Sequence, residues 1–206
     1  MRIPHLVASA GTGGTITGAA RYLRTKKADI VIVGAVPEGS VLSGDVARPY
    51  LTEGVGEDFF PGTYDATMVD RWVRVSDRDA FAMARRITRE EGILAGESCG
   101  TAMVAALDEA RRIMREARTG ASAATIVVIF PDGGRNYLSK LYNAEWLRAN
   151  GLIAPAGAGS PVAETLRHRH AYRHLPPVVP PLTPPARRAP SHRPHPSAPT
   201  RPPAPS

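Results

Sequence analysis

The chain has 206 residues with a formal net charge of +7, and residues 154–206 carry most of the basic excess, with seven arginines, 15 of the 20 prolines and one acidic residue. Because residues 1–153 are close to neutral and hold no apolar run near the ~20 residues of a membrane helix, we expect neither a nucleic-acid nor a membrane partner. The lone cysteine, Cys99, excludes an internal disulfide and predicts a cytoplasmic protein.

The first predicted elements are a strand at residues 6–10, a glycine-rich loop, and a helix that ends near residue 25. The loop consists of Gly11, Thr12, Gly13, Gly14 and Thr15. Glycines let the backbone approach an anion closely, and the N-terminus of the helix adds unpaired N–H donors. The loop therefore predicts a phosphate site. A tight turn needed only for packing stays open, because the loop matches neither the dinucleotide fingerprint nor the P-loop.

Strands and helices alternate up to residue 153. Further strands are predicted at residues 30–36, 72–75 and 125–130, and further helices at 77–91, 101–118 and 136–149. Ser76, with Asp79 three residues later, predicts the start of the second helix, and Gly92 predicts its end. The fold class is therefore α/β, with an open, mostly parallel sheet and helices on both faces.

The composition divides the chain into two parts. Residues 1–153 are predicted to form one domain of this α/β class. Residues 154–206 are rich in proline, arginine and histidine and cannot bury a core, so they predict a disordered or polyproline II tail.

Three further loops are expected at the carboxyl ends of strands, where α/β sheets bind ligands. They cover residues 53–59 (EGVGEDF), 96–101 (GESCGT) and 131–137 (PDGGRNY). Gly54 and Gly56 permit close approach of the backbone to a ligand, with ordinary turn glycines as the alternative. Ser98 is interpreted either as a ligand contact or as the N-cap of the helix at 101–118. Cys99 has no neighbouring His or Lys to lower its pKa and is interpreted as a packing residue.

Taken together, these motifs resemble the cystathionine β-synthase and cysteine synthase family of fold-type II pyridoxal-phosphate enzymes. The resemblance covers about residues 5–152 and rests on GTGGTITGAARYL, PEGSVLSGD, EGVGEDFFPGTYD, GILAGESCGTA and FPDGGRNYLSKLYNAEWL. The PEGS and PDGGRNYLSK elements resemble the cystathionine β-synthase branch more than the cysteine synthase branch. The resemblance places the chain in the C-terminal part of the catalytic domain.

The resemblance implies pyridoxal 5′-phosphate as the cofactor. The loop from Gly11 to Thr15 would hold its phosphate, Ser98 would hydrogen-bond its pyridine nitrogen, and Gly54 and Gly56 would lie on the substrate side. Asp132 would help to shape the cofactor side of the sheet, with a turn-forming role as its alternative. The intact enzyme would be a lyase of transsulfuration and cysteine biosynthesis, a homo-oligomer that joins serine to homocysteine by β-replacement. A cysteine synthase-type β-replacement is the alternative.

The sequence also departs from the family pattern. The family attaches its cofactor through a lysine in a Ser- and Asn-bearing segment, and Lys26, Lys27 and Lys140, the three lysines of this chain, do not match that segment. Without that lysine we expect no catalytic residue in this chain, and we expect the fragment to be inactive. We also expect no metal site. A frameshift is one hypothesis for the origin of the fragment. Glu97 brings a charge next to Ser98, where the family tends to have a small or apolar residue.

The sequence leaves one function of another class open. The chain could be a non-catalytic phosphate-binding module whose proline-rich tail recruits partners, because residues 177–180 and 181–184 fit a PxxP pattern. Such patterns arise readily in any proline-rich segment.

Overall fold

A four-stranded parallel sheet forms the centre of the structure, a computed structural model that describes residues 4–117 and 124–154. The strands are β1 (His5–Ser9), β2 (Val31–Pro37), β3 (Arg71–Val75) and β4 (Ile126–Val128). Their spatial order is β3-β2-β1-β4, with every neighbouring pair parallel. The predicted parallel α/β sheet is confirmed.

Helices cover both faces of this sheet. Leu6 and Ala8 of β1 belong to one core cluster with Ile16 of α1 (Gly14–Lys26). Val7, between them, points to the other face and clusters with Ala105 of α3 (Glu97–Ala117). Because successive side chains of a strand alternate between faces, one short apolar strand serves two cores.

Two helices pack against each other on the α3 face. Helix α2 (Asp77–Glu91) begins as predicted, since the Ser76 side chain accepts a hydrogen bond from Asp79 N at 3.2 Å. Helix α3 begins at Glu97, four residues before the predicted start at residue 101. A Cβ atom on Gly100 would lie 1.9 Å from the carbonyl oxygen of Ala80, so the missing side chain lets the two backbones touch.

The helix predicted over residues 136–149 is wrong. The structure has a 3-10 turn at Gly134–Tyr137 and then a short helix, α4 (Ala144–Ala149). Asn143 starts α4 by accepting hydrogen bonds from the amides of the first turn, at 2.9 and 3.2 Å. The apolar spacing hid this break, because Tyr137, Leu141 and Leu147 all belong to one core cluster on either side of it. Strand β4 is likewise shorter than the predicted 125–130.

The tail predicted at 154–206 lies, after its first residue, outside the described residues. Within residues 4–117 and 124–154, no helix combines the length and the apolar character needed to cross a membrane.

Candidate functional site

The loop after β1 brings the N-terminus of α1 to the carboxyl edge of the sheet. Gly13 is the N-cap and has a φ of 84°, a left-handed conformation that favours glycine. The first intrahelical bond runs from Thr17 N to Gly13 O at 3.0 Å, so the three N–H groups before it have no partner within the helix. The first turn of α1 carries no acidic residue. This end of α1 therefore offers a positive dipole and N–H donors without a competing carboxylate.

A second glycine loop lies against the first one. Gly56 N donates to Ala10 O at 2.7 Å, and a Cβ atom on Gly11 would come within 3.0 Å of Gly54 O. Between the two loops is a cleft of about 400 Å³. Its lining includes six predicted site residues, which are Gly11, Thr12, Gly13, Thr15, Gly54 and Gly56. The other lining residues include Tyr50, Thr52 and Glu57, and Glu57 carries the only charge among them.

Carboxylates at the starts of α2 and α3 hold the approach to the second loop. Asp77 accepts hydrogen bonds from Leu51 N at 2.7 Å and from Thr52 N at 3.0 Å, and it also accepts one from the Thr52 hydroxyl at 2.6 Å. Glu97 Oε2 accepts the next amide, Glu53 N, at 2.9 Å. Three successive amides thus end on two side chains that come from different helices. The position of Gly54 follows directly from these anchors.

Glu97 is the most unusual of these groups. It is fully buried, and its Oε1 has no hydrogen-bond partner among the described residues. Burial raises the pKa of Glu97 to about 7, against the lowering effect of the hydrogen bond from Glu53 N. The carboxylates of Glu53 and Asp77 raise this pKa further, and the Lys140 ammonium group lowers it. Lys140 itself forms an ion pair with Glu53.

The turn after β4 joins the start of α3. Asp132 Oδ2 accepts a hydrogen bond from the Tyr137 hydroxyl at 2.6 Å, and the Asp132 carbonyl lies 3.2 Å from Cys99 Sγ. A Cβ atom on Gly96 would lie 1.9 Å from Asp132 Oδ1, so a side chain at this position would displace the Asp132 carboxylate. Burial raises the pKa of the Cys99 thiol, which agrees with a packing residue. All four loops singled out in the sequence therefore meet at one edge of the sheet.

Two of the predicted site residues are placed differently from the rest. Ser98 is buried and lies in the first turn of α3, so its alternative as an N-cap is wrong; it is not among the residues that line the cleft. Gly14, the first residue of α1, is exposed and also lies outside the lining. The roles given to both residues stay predictions.

None of the three lysines lines the cleft. Lys26 and Lys27 lie at the far end of α1, which at 1.5 Å per residue is roughly 20 Å from Gly13. Lys27 pairs with Asp29 at 2.6 Å. The hydrogen bond to Glu53 raises the pKa of Lys140, so this amine is held protonated and is a poor nucleophile.

Sequence reasoning missed the residues that support the cleft rather than line it. Asp77 stands in the first turn of α2, where an acidic residue is already explained by the helix dipole, so nothing signalled its bonds to Leu51 and Thr52. The Glu53–Lys140 pair joins residues 87 positions apart. A single sequence carries no signal for such a contact. Across the described residues, no cluster of His, Cys, Asp or Glu has the geometry to hold a metal ion.

Three comparisons relate this geometry to known proteins. The sequence model of the family described as "Pyridoxal-phosphate dependent enzyme" matches residues 2–132. Cystathionine beta-synthase of Dictyostelium discoideum is 39% identical over 159 residues, which are 75% of this chain and 30% of that protein. Cysteine synthase of Helicobacter pylori is 38% identical over 138 residues, which are 67% of this chain and 43% of that protein.

Solved structures extend the likeness to the fold. A crystal structure from Helicobacter pylori, described as O-acetylserine dependent cystathionine beta-synthase, superposes with a TM-score of 0.61 at 37% identity. The match covers 68% of this chain and 43% of that one. The chain thus spans less than half the length of each of these relatives.

Proposed function

The chain belongs to the family of pyridoxal-phosphate dependent enzymes, and we propose that its cleft holds the phosphate of that cofactor at the N-terminus of α1. The observation that carries the proposal is the N-terminus of α1, whose first three N–H groups have no partner within the helix. Its N-cap Gly13 lines a cleft of about 400 Å³, and the first helical turn has no acidic residue. Such an arrangement suits a dianionic phosphate.

The residues present fit the phosphate end of the cofactor. Gly13 takes a left-handed φ at the N-cap, and the exposed Thr12 and Thr15 lie beside it on the cleft. The Glu57 carboxylate, the only charge among the lining residues, opposes an anion, so phosphate binding here requires that the N–H donors at the start of α1 outweigh it. Ser98, in the first turn of α3, is the proposed partner of the pyridine nitrogen.

When bound, pyridoxal 5′-phosphate supplies an electron sink for reactions at amino-acid carbons. This chain contributes phosphate binding through the loop from Gly11 to Thr15 and a substrate-side wall through Gly54 and Gly56. It does not contribute a lysine to the cleft, since Lys140 is paired with Glu53 and the other two lie at the far end of α1. We therefore propose that these 206 residues bind the cofactor weakly and have no turnover by themselves.

A negative charge introduced at the helix N-terminus tests the phosphate site. Thr15→Asp places a carboxylate where the phosphate is proposed to lie. The helix dipole stabilises a carboxylate at this end of α1, so the variant is expected to fold. Thr15→Asn is the neutral control of the same size. Isothermal titration calorimetry of the full chain with pyridoxal 5′-phosphate, inorganic phosphate and pyridoxal should show binding of the two phosphate-bearing ligands only. Their affinity should fall at least tenfold in Thr15→Asp and little in Thr15→Asn.

Equal affinity of the two Thr15 variants, or equal binding of pyridoxal and its phosphate, would contradict the proposed site.

The proposed lack of turnover is tested separately, by borohydride treatment of the chain with pyridoxal 5′-phosphate followed by peptide mass spectrometry. A stoichiometric adduct at one lysine, together with turnover of serine and homocysteine, would overturn the proposal of an inactive chain.

For the parent reaction we propose cystathionine β-synthase-type β-replacement. The second candidate is cysteine synthase-type β-replacement, which is favoured by the relative from Helicobacter pylori named cysteine synthase. Backbone amide shifts of Gly54 and Gly56 in the cofactor-loaded chain separate the two. A response to homocysteine supports the first candidate, which uses it as the second substrate, and a response to O-acetylserine without one to homocysteine supports the second. A cytoplasmic location and a homo-oligomer are also proposed, the latter to be tested by light scattering.

A further inference from the structure

The carboxyl group of Glu97 is buried, and only one of its two oxygens forms a hydrogen bond. Oε2 accepts the hydrogen bond from Glu53 N at 2.9 Å, and Oε1 has no partner among the described residues although Glu97 is fully buried. Buried polar groups in folded proteins are nearly always hydrogen-bonded, so this oxygen calls for an explanation. A proton on Oε1 removes the buried charge, which costs more free energy than an unpaired neutral hydroxyl does.

The groups around Glu97 make its charge state sensitive to pH. Two carboxylates act on it, Glu53 from the second glycine loop and Asp77 from the start of α2, and one cation, Lys140, acts from the segment after the 3-10 turn. The phenol of Tyr137 also feels the charge of Glu97, and its hydroxyl is bound to Asp132. Like charges outnumber opposite ones, and both burial and these carboxylates favour the protonated acid.

The one hydrogen bond that Glu97 accepts lies next to the cleft. Glu53 is followed directly by Gly54, and Gly54, Val55 and Gly56 line the cleft. On the far side, Gly56 is held by its bond to Ala10 O at 2.7 Å. The bond between Glu53 N and Glu97 is therefore the anchor nearest to Gly54, next to the bonds that Asp77 accepts from Leu51 and Thr52.

We propose that Glu97 is a positioning residue of the cleft, whose proton sets how tightly the loop at residues 53–56 is held against α3. An ionised carboxylate accepts an N–H bond roughly twice as strongly as a neutral acceptor does, so the loop is held more firmly when Glu97 is ionised. This inference rests on the proposed function only where it treats the loop as the substrate side of the cleft.

Nuclear magnetic resonance of the full chain tests the inference without any cofactor. The amide proton of Glu53 and the side-chain Cδ of Glu97 should titrate together between about pH 5.5 and 8.5, with the amide signal moving downfield as the pH rises. In Glu97→Gln the side chain still offers an oxygen to Glu53 N but cannot ionise, so the amide step should vanish. In Glu53→Gln the step should persist at lower pH, because removing this carboxylate lowers the pKa of Glu97.

Two results would overturn the inference. One is an amide step at Glu53 that survives in Glu97→Gln, which assigns it to another group. The other is a wild-type chain in which the Glu97 carbon titrates and the amides of residues 53–56 do not respond. The wild-type measurement alone is decisive if a variant fails to fold. A chain that shows the coupled titration but binds no pyridoxal 5′-phosphate keeps the inference and refutes the proposed function.

Discussion

The two ends of the cleft are built from different chemistry. At the α1 end, glycines and threonines line the cleft, and the first helical turn has no acidic residue. At the α3 end, the loop is fixed by ionisable side chains, with Asp77 and Glu97 as acceptors and Lys140 paired to Glu53. The first end depends on backbone conformation, which does not titrate. The second depends on charge, so pH acts on only one side of the cleft.

The largest effect is expected from placing a side chain at the α1 end. Gly13→Ala forces a left-handed φ of 84° on alanine and sets a Cβ atom 2.8 Å from Tyr64 Cα. The left-handed backbone and the overlap together should cost about 3 kcal/mol. Urea unfolding of the full chain measures the loss, and pyridoxal 5′-phosphate affinity should fall with it.

The neighbouring glycine provides the matched control. Gly14 has no positive φ, and a Cβ atom added to it would meet no other atom within 4 Å. Gly14→Ala should therefore change the unfolding free energy by no more than ~0.5 kcal/mol. If the free energy of unfolding fell by similar amounts in Gly13→Ala and Gly14→Ala, the left-handed backbone at position 13 would not require glycine.

The second prediction moves to the α3 end and concerns the pH dependence of stability. Glu97 has a pKa of about 7 in the folded chain against an ordinary value of 4.5. Between these values the folded state binds more protons than the unfolded state does. The contribution of Glu97 is therefore fully present below pH 4.5 and is lost as the pH rises to about 7. At about 1.4 kcal/mol per pKa unit, the complete loss is roughly 3.5 kcal/mol, and most of it falls between these two pH values.

Glu97→Gln isolates this contribution, because glutamine does not titrate. The unfolding free energy of the variant minus that of the wild type should increase across this pH window by about 3 kcal/mol. Other groups cancel in this difference. A flat difference, measured by urea unfolding at several pH values, would show that Glu97 ionises normally in the folded chain. Gly13→Ala should leave the pH profile of the wild type unchanged.

The third prediction separates the two anchors of the loop. Asp77→Ala leaves Leu51 N and Thr52 N without their acceptor. Water replaces part of the two lost hydrogen bonds, so the free energy of unfolding should fall by about 2 kcal/mol in total. Asp77→Asn keeps one acceptor oxygen and should recover about half of this loss. Unfolding measurements check both values, and equal losses in the two variants would mean that charge rather than hydrogen bonding holds the loop.

The sequence was sufficient for most of the fold, for local reasons. Ser76 and Gly92 mark the start and the end of α2 through interactions within a few residues. The continuous apolar sequence of the strands indicates that they are buried. The failure at residues 136–149 came from Asn143, whose capping role is invisible when apolar residues continue at helical spacing on both sides. A cap inside a continuous apolar pattern is resolved only by the tertiary packing.

For the site, the glycines were recognisable and their supports were not. Gly11, Gly13, Gly54 and Gly56 were found because clustered glycines let the backbone approach a ligand closely, and they do line one cleft. Glu97 stood out as an odd residue, but its burial and its bond to Glu53 are contacts between distant segments. The glycine end is encoded locally in the sequence and the carboxyl end is encoded by the fold.

The smallest expected effect comes from Lys140, and it bears most directly on the contrast between the two ends. The Lys140 ammonium group lowers the pKa of Glu97, so Lys140→Met should raise the midpoint of the Glu97 titration. The pair that Lys140 forms with Glu53 is solvent-exposed, so the variant should fold as the wild type does. The Gly13 amide should stay unchanged in the same spectra. A shift of both signals would show that the two ends of the cleft are coupled, and a lower midpoint at Glu97 would show that Lys140 acts through the fold rather than through its charge.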